Sequence, residues 1–113
     1  MQVRERIAGN VAVITIDGDI TLNTGGDVIL KDKVQSLIQQ GYRNLLIDLS
    51  NVSYVDSAGL GQLVQAYATT RNKGGALKLV NLTKRLQDLL VVTKLLTVFD
   101  TFDNESAALA SFS

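Results

Sequence analysis

Neither cysteine nor histidine occurs anywhere in the chain. Without Cys there can be no disulfide, thiolate nucleophile or thiolate metal site. Without His, the Ser/His/Asp arrangement, the commonest transition-metal ligand and a phosphohistidine relay are excluded together. Proline is missing as well, so no Pro-rich linker divides the chain. No sign of charge prevails either: 11 Lys and Arg stand against 11 Asp and Glu, leaving no basic surplus to meet a phosphate backbone or an anionic membrane surface. The first residues, Met1-Gln2-Val3-Arg4-Glu5-Arg6, do not resemble a signal peptide. No segment approaches the roughly 18 apolar residues that span a bilayer. The expected location is therefore the cytoplasm, with no membrane insertion and no direct nucleic-acid contact.

What is present is the composition of a compact domain. Of 113 residues, 46% are hydrophobic and 19% charged, enough apolar surface for one core and too little charge for a disordered chain. A single domain over residues 1–113 is expected. Val11 to Ile16 is a β-branched, almost wholly apolar run, as in a strand covered on both faces. Gly9-Asn10 before it suggests a tight turn from a more polar edge strand near Gln2 to Ala8. From Asp27, the spacing of Leu30, Val34, Leu37 and Ile38 predicts an amphipathic helix that stops at Gly41.

Leu45 to Leu49 reads as a second buried strand. Leu60, Leu63, Val64, Tyr67 and Ala68 then recur at helical spacing, from a start near Ser57 to the break at Asn72-Lys73-Gly74-Gly75. Ala76 to Val80 is a third buried strand. Leu86, Leu89, Leu90 and Thr93 give a third helix with Thr83 as its N-cap, and Asn104 caps a last one through Ala107, Ala108 and Phe112. Val98 to Phe102 reads as a short final strand or a loop. Such alternation implies right-handed crossovers. The fold class is α/β: a mostly parallel sheet of four to five strands, an antiparallel edge hairpin and about four helices.

The stretch that carries chemistry is Asp48-Leu-Ser-Asn-Val-Ser-Tyr-Val-Asp-Ser-Ala-Gly-Leu-Gly61, leading from a buried strand into a helix. There, unpaired backbone N–H groups and the helix dipole favour an anion. Ser57 lies at or beside the N-cap, and either it or Asp56 could be the cap. Gly59 and Gly61 stand in the first turns although Gly is worse than Ala by about 1 kcal/mol inside a helix. Tight packing on the sheet or close approach of another molecule would each explain them.

Other chemistry fits poorly. A hydrolase elbow needs Gly where Val55 stands and a His base; a dinucleotide fingerprint needs Gly where Val64 stands. Thr24-Gly25-Gly26-Asp27 lacks the Lys-Ser/Thr of a P-loop and reads as a flexible loop and cap. Asp19, Asp48 and Asp56 near strand ends could suggest a hard-metal site of the receiver kind, but Lys78 sits mid-strand rather than at its end. Tyr42, Tyr54, Tyr67 and the three Phe read as packing residues. No catalytic residue, metal or cofactor is expected, and the chain does not read as an enzyme.

Asp56-Ser57-Ala58-Gly59-Leu60, in its strand-to-helix context, resembles the signature of STAS domains, the family of anti-sigma factor antagonists and related modules. In that family Asp-Ser-(Ser, Thr or Ala)-Gly-Leu presents a phosphorylatable serine. Gly18-Asp19-Ile20 resembles the family's Gly-acidic-Leu, and Leu46-Ile47-Asp48-Leu49 its central strand. The resemblance, which spans nearly the whole chain, implies a bacterial anti-sigma factor antagonist. Its unphosphorylated form would bind an anti-sigma factor that is also a serine kinase and so release the sigma factor. Phosphorylation of Ser57 would end that binding, and a phosphoserine phosphatase would restore it. Partner contacts would map to Asp19, Thr21, Asp56, Ser57, Ala58, Gly59 and Leu60. Two departures stand out: Thr21 replaces the family's Asp, and the loop Leu22-Asn23-Thr24-Gly25-Gly26 is slightly long. The resemblance also admits a second role, as the regulatory STAS part of a transporter or lipid-trafficking complex, or as a nucleotide-sensing module.

Overall fold

The computed structural model describes residues 1–112. Two strands, β1 (Gln2–Ala8) and β2 (Val11–Asp17), form an antiparallel hairpin closed by Gly9-Asn10, with Ala8 opposite Val11. There follow α1 (Gly26–Gln39), β3 (Asn44–Asn51), α2 (Ser57–Asn72), β4 (Ala76–Val80), α3 (Lys84–Val92), β5 (Thr101–Phe102) and α4 (Glu105–Ala110). Beyond the hairpin all strand pairs are parallel, and the five strands lie side by side in chain order. This is the α/β architecture expected.

That unreversed order decides where the helices go. Right-handed crossovers that always step in one direction place every crossover helix on one face of the sheet. Accordingly Leu30, Val34 and Leu37 of α1, Leu63 and Ala66 of α2, and Leu86 and Leu90 of α3 share one core with Ala12, Ile14, Ile16, Leu45, Ile47, Leu49, Leu77 and Leu79. Since the strand order never reverses among the described residues, they form no switch-point crevice of the kind in which doubly wound sheets bind nucleotides. The opposite face is covered by α4. Ala108, Leu109 and Phe112 pack there on Val11, Val13, Leu46 and Val80. An ion pair between Arg6 and Glu105, and Lys78 donating to the Ser111 carbonyl at 3.0 Å, tie α4 to β1 and β4.

Several boundaries differ from the sequence reading: β2 and β3 run one to two residues further, to Asp17 and over Asn44–Asn51, and α3 stops at Val92 with Thr93 as its C-cap. Helix α1 opens one residue earlier, at Gly26. The last helix ends at Ala110, not Phe112, which lies beyond its end and serves as a packing residue on the sheet. In the Val98 to Phe102 segment only Thr101 and Phe102 join the sheet, because Phe99 turns into the main core and meets Tyr67 edge-on at 5.5 Å. Thr83 and Asn104 cap as expected, accepting from the Leu86 N–H at 3.3 Å and the Ala107 N–H at 2.8 Å.

Candidate functional site

At the carboxyl ends of β2 and β3 the chain continues as two loops that are hydrogen-bonded to each other. Ile20 forms an isolated parallel bridge with Val55: its N–H donates to the Tyr54 carbonyl at 3.1 Å, and its carbonyl accepts from the Asp56 N–H at 3.3 Å. Gly18 donates to the Asn51 carbonyl at 3.1 Å, and the Ser53 hydroxyl donates to the Asp19 carboxylate at 3.0 Å. The surface at the head of α2 is thus built from both loops.

Asp56 closes it. Its backbone is extended, and its Oδ1 accepts from the Gly59 N–H at 2.8 Å, so Asp56 and not Ser57 is the N-cap. Its Oδ2 reaches the other loop and accepts from the Leu22 N–H at 2.9 Å. One carboxylate therefore caps the helix and clasps two loops. The Gly59 and Leu22 N–H groups, in that order, hold its pKa below the ordinary carboxylate value against the opposing effect of burial. A depressed folded value contributes stability that is fully present above the unfolded pKa of about 4 and is lost as pH falls through the folded one. Asp56→Asn keeps a capping oxygen but can accept only one of the two N–H groups while losing the charge. It should melt roughly 3–5 °C below the parent at pH 7, with the gap closing below pH about 4. Thermal melts from pH 7 to pH 2 check this; a gap that stayed constant would contradict it.

With Asp56 turned inward, Ser57 is the first helical residue, exposed, and its hydroxyl has no hydrogen-bond partner among the described residues. Ala58 and Leu60 beside it are half-buried. Gly59 and Gly61, alike in sequence, differ in space. A Cβ on Gly59 would collide with the Ile20 carbonyl and come within 2.9 Å of Val55 Cγ1, which is the tight-packing explanation. On Gly61 it would meet no atom within 4 Å.

Thr21 is only 8% exposed, and its hydroxyl pairs with that of Thr24 at 2.9 Å and accepts the Thr24 N–H at 3.2 Å. The glycine-rich loop is consequently a turn braced by its own threonines. The three acids near strand ends are engaged separately: Asp19 with Ser53, Asp48 with the Ser50 N–H at 3.0 Å, and Asp56 as above.

Sequence reasoning missed two residues. Leu22 is 68% exposed on the loop whose N–H binds Asp56, and Tyr54, read as a packing residue, is 50% exposed on the loop before Ser57. Tyr54 also lines a cleft of about 270 Å³ against Leu89 and Val92 of α3. A signal for Leu22 was available, since it stands apart from the apolar stripe of α1; Tyr54 offered none, because its exposure depends on how far α3 lies from the loop. Exposed apolar groups on the two loops that frame the head of α2 suit a protein partner better than a small polar ligand.

Known proteins share this sequence and fold. The chain is 38% identical over 97 residues to the anti-sigma-B factor antagonist of Bacillus subtilis, covering 80% of this chain and 88% of the relative. The fold superposes on that of the Thermotoga maritima protein TM1081 with a TM-score of 0.90 at 22% identity, over 97% of this chain and 93% of that one. The Bacillus cell fate determinant SpoIIAA in its phosphorylated form gives 0.76 at 16% identity, over 99% and 100% of the two chains. A family model described as the STAS domain matches residues 2–108. Since that span runs from β1 through every strand and into α4, the chain belongs to the STAS domain family.

Proposed function

We infer that this chain is an anti-sigma factor antagonist acting as a phosphorylation switch in the cytoplasm, with no catalytic activity of its own. In its unmodified form it binds an anti-sigma factor that is also a serine kinase, and the sigma factor is released. Phosphate on Ser57 ends the binding and a phosphatase restores it. The observation that carries this reading is the exposed, unpartnered hydroxyl of Ser57 at the head of α2, beside an Asp56 whose carboxylate is committed to backbone amides. The name of the 38% identical relative supports the choice of partner. Docking would use Ala58, Leu60, Leu22 and Tyr54 around the serine, with Asp19, Thr21, Asp56 and Gly59 shaping the surface from beneath. A phosphate there adds about −1.5 to −2 charges next to Asp56 on a largely apolar patch, where repulsion and desolvation oppose docking. The helix N-terminus meanwhile favours the added charge, so the modified domain stays folded.

Incubation with the cognate anti-sigma kinase and Mg-ATP, followed by peptide mass mapping, should find one phosphate, on Ser57. Ser53 already donates to Asp19, while Ser50 lies within β3 and Ser106 within α4, neither at a helix head that opens from the two loops. Phosphate on any of these three instead would overturn the site.

A further inference from the structure

Gly61 has no explanation among the described residues. Its φ is not in the left-handed region, no atom would touch an added Cβ, and it is exposed one turn into a helix that glycine weakens. Its neighbours Leu60 and Val64 rest on the core, so the helix is anchored on either side of it.

The geometry of the helix says what a side chain there would do. Residues four apart lie on one face, about 5–6 Å between Cβ atoms, and Cα–Cβ bonds tilt toward the helix N-terminus. A helical side chain therefore covers the turn that precedes its own Cα. At position 61 that turn begins with Ser57. We propose that Gly61 is a specificity-determining clearance, a gap over the acceptor hydroxyl through which the active site of a protein kinase reaches Ser57. This rests on the reading of Ser57 as the phosphorylated residue. In the step it permits, the Ser57 Oγ attacks the γ-phosphorus of ATP held by the kinase. The Oγ–P bond forms as the bridge to the β-phosphate breaks, ADP leaves with that bond's electron pair, and the hydroxyl proton passes to a base of the kinase. Gly59 and Gly61 then have opposite duties, the first admitting this chain's own backbone and the second another protein's.

The test sets stability against reactivity. Gly61→Ala and Gly61→Leu replace glycine by good helix formers, so each should melt roughly 3–5 °C higher than the parent. Initial rates of Ser57 phosphorylation are measured with Mg-ATP and the cognate anti-sigma kinase, and in parallel with the anti-sigma-B factor of Bacillus subtilis, the target in the name of the 38% identical relative. Gly61→Ala, which adds only a Cβ, should lose less than about threefold, and Gly61→Leu, whose side chain leans over Ser57, at least about tenfold. A more stable protein that is a poorer substrate cannot be attributed to a damaged helix. If the parent is labelled at Ser57 and Gly61→Leu is labelled at the same rate, the clearance is refuted while the switch stands. If Gly61→Leu melts low, Gly61→Gln, a polar helix former of similar reach, decides: a loss of at least about tenfold in a protein that melts no lower than the parent supports the clearance, and a parental rate overturns it. If neither kinase labels Ser57 in the parent, the switch fails and the clearance with it.

Discussion

Ser57→Asp should bind the anti-sigma partner at least about tenfold more weakly than the parent, a change of roughly 1.4 kcal/mol, while Ser57→Ala binds as the parent does and takes no phosphate. Neither variant should alter folding. Because Asp56 provides the cap, Ser57→Ala removes an exposed hydroxyl from the first helical position and supplies a better helix former. Asp at the same position adds a charge that the helix dipole favours. Melting temperatures of both should therefore stay within about 2 °C of the parent, as for other surface substitutions. A binding defect in Ser57→Asp then arises at the interface itself, from a charge set beside Asp56 and the half-buried Ala58 and Leu60. Titration calorimetry with the nucleotide-loaded partner, run alongside melts, measures both. Were Ser57→Asp to bind at parental affinity while folded, a charge-based switch would lose its main support.

Gly59→Ala should do the reverse and strike the fold first. Its added methyl would enter the space of the Ile20 carbonyl oxygen and press on the Ile20 carbonyl carbon and Val55 Cγ1, each 2.9 Å away. Ile20 is backbone held on both sides, its N–H bound to Tyr54 and its carbonyl bound by Asp56, so it cannot move aside without breaking the bridge between the loops. Overpacking of this kind costs about 1–3 kcal/mol or more, which lowers the melting temperature of a domain this size by roughly 10 °C. Partner binding should fall too, because the Asp56 clasp on Leu22 passes through the same junction. Differential scanning calorimetry gives the answer directly: a shift under about 2 °C would mean that the loops are not held together as described.

These two substitutions mark where sequence reading stops. The strands announced themselves through β-branched apolar runs, and the helices through stripes such as Leu30, Val34, Leu37 and Ile38, because periodicity is a local property. Caps were legible for the same reason at Thr83 and Asn104. At the head of α2 two adjacent residues could each cap, and only the position of the Leu22 amide, on another loop, shows why Asp56 does so. The different roles of Gly59 and Gly61 were hidden likewise, since the crowding comes from Ile20, far away in the chain. The burial of Thr21 depends on a turn closed by Thr24. The end of α4 escaped notice because what Phe112 packs against is the sheet, not its own helix.

The side-by-side order of the strands bears also on how the chain acquires its structure. Each strand lies next to the one synthesised just before it, so no pairing has to wait for a distant, later segment. Loop closure is then limited to one crossover at a time, which keeps the mean sequence separation of contacts low for a parallel sheet and favours rapid folding. On a ribosome the hairpin can form first and each βα unit can dock on an edge already in place. The head of α2 is completed once β3 has joined β2 and the Ile20–Val55 bridge has closed, while the C-terminal half is still being made.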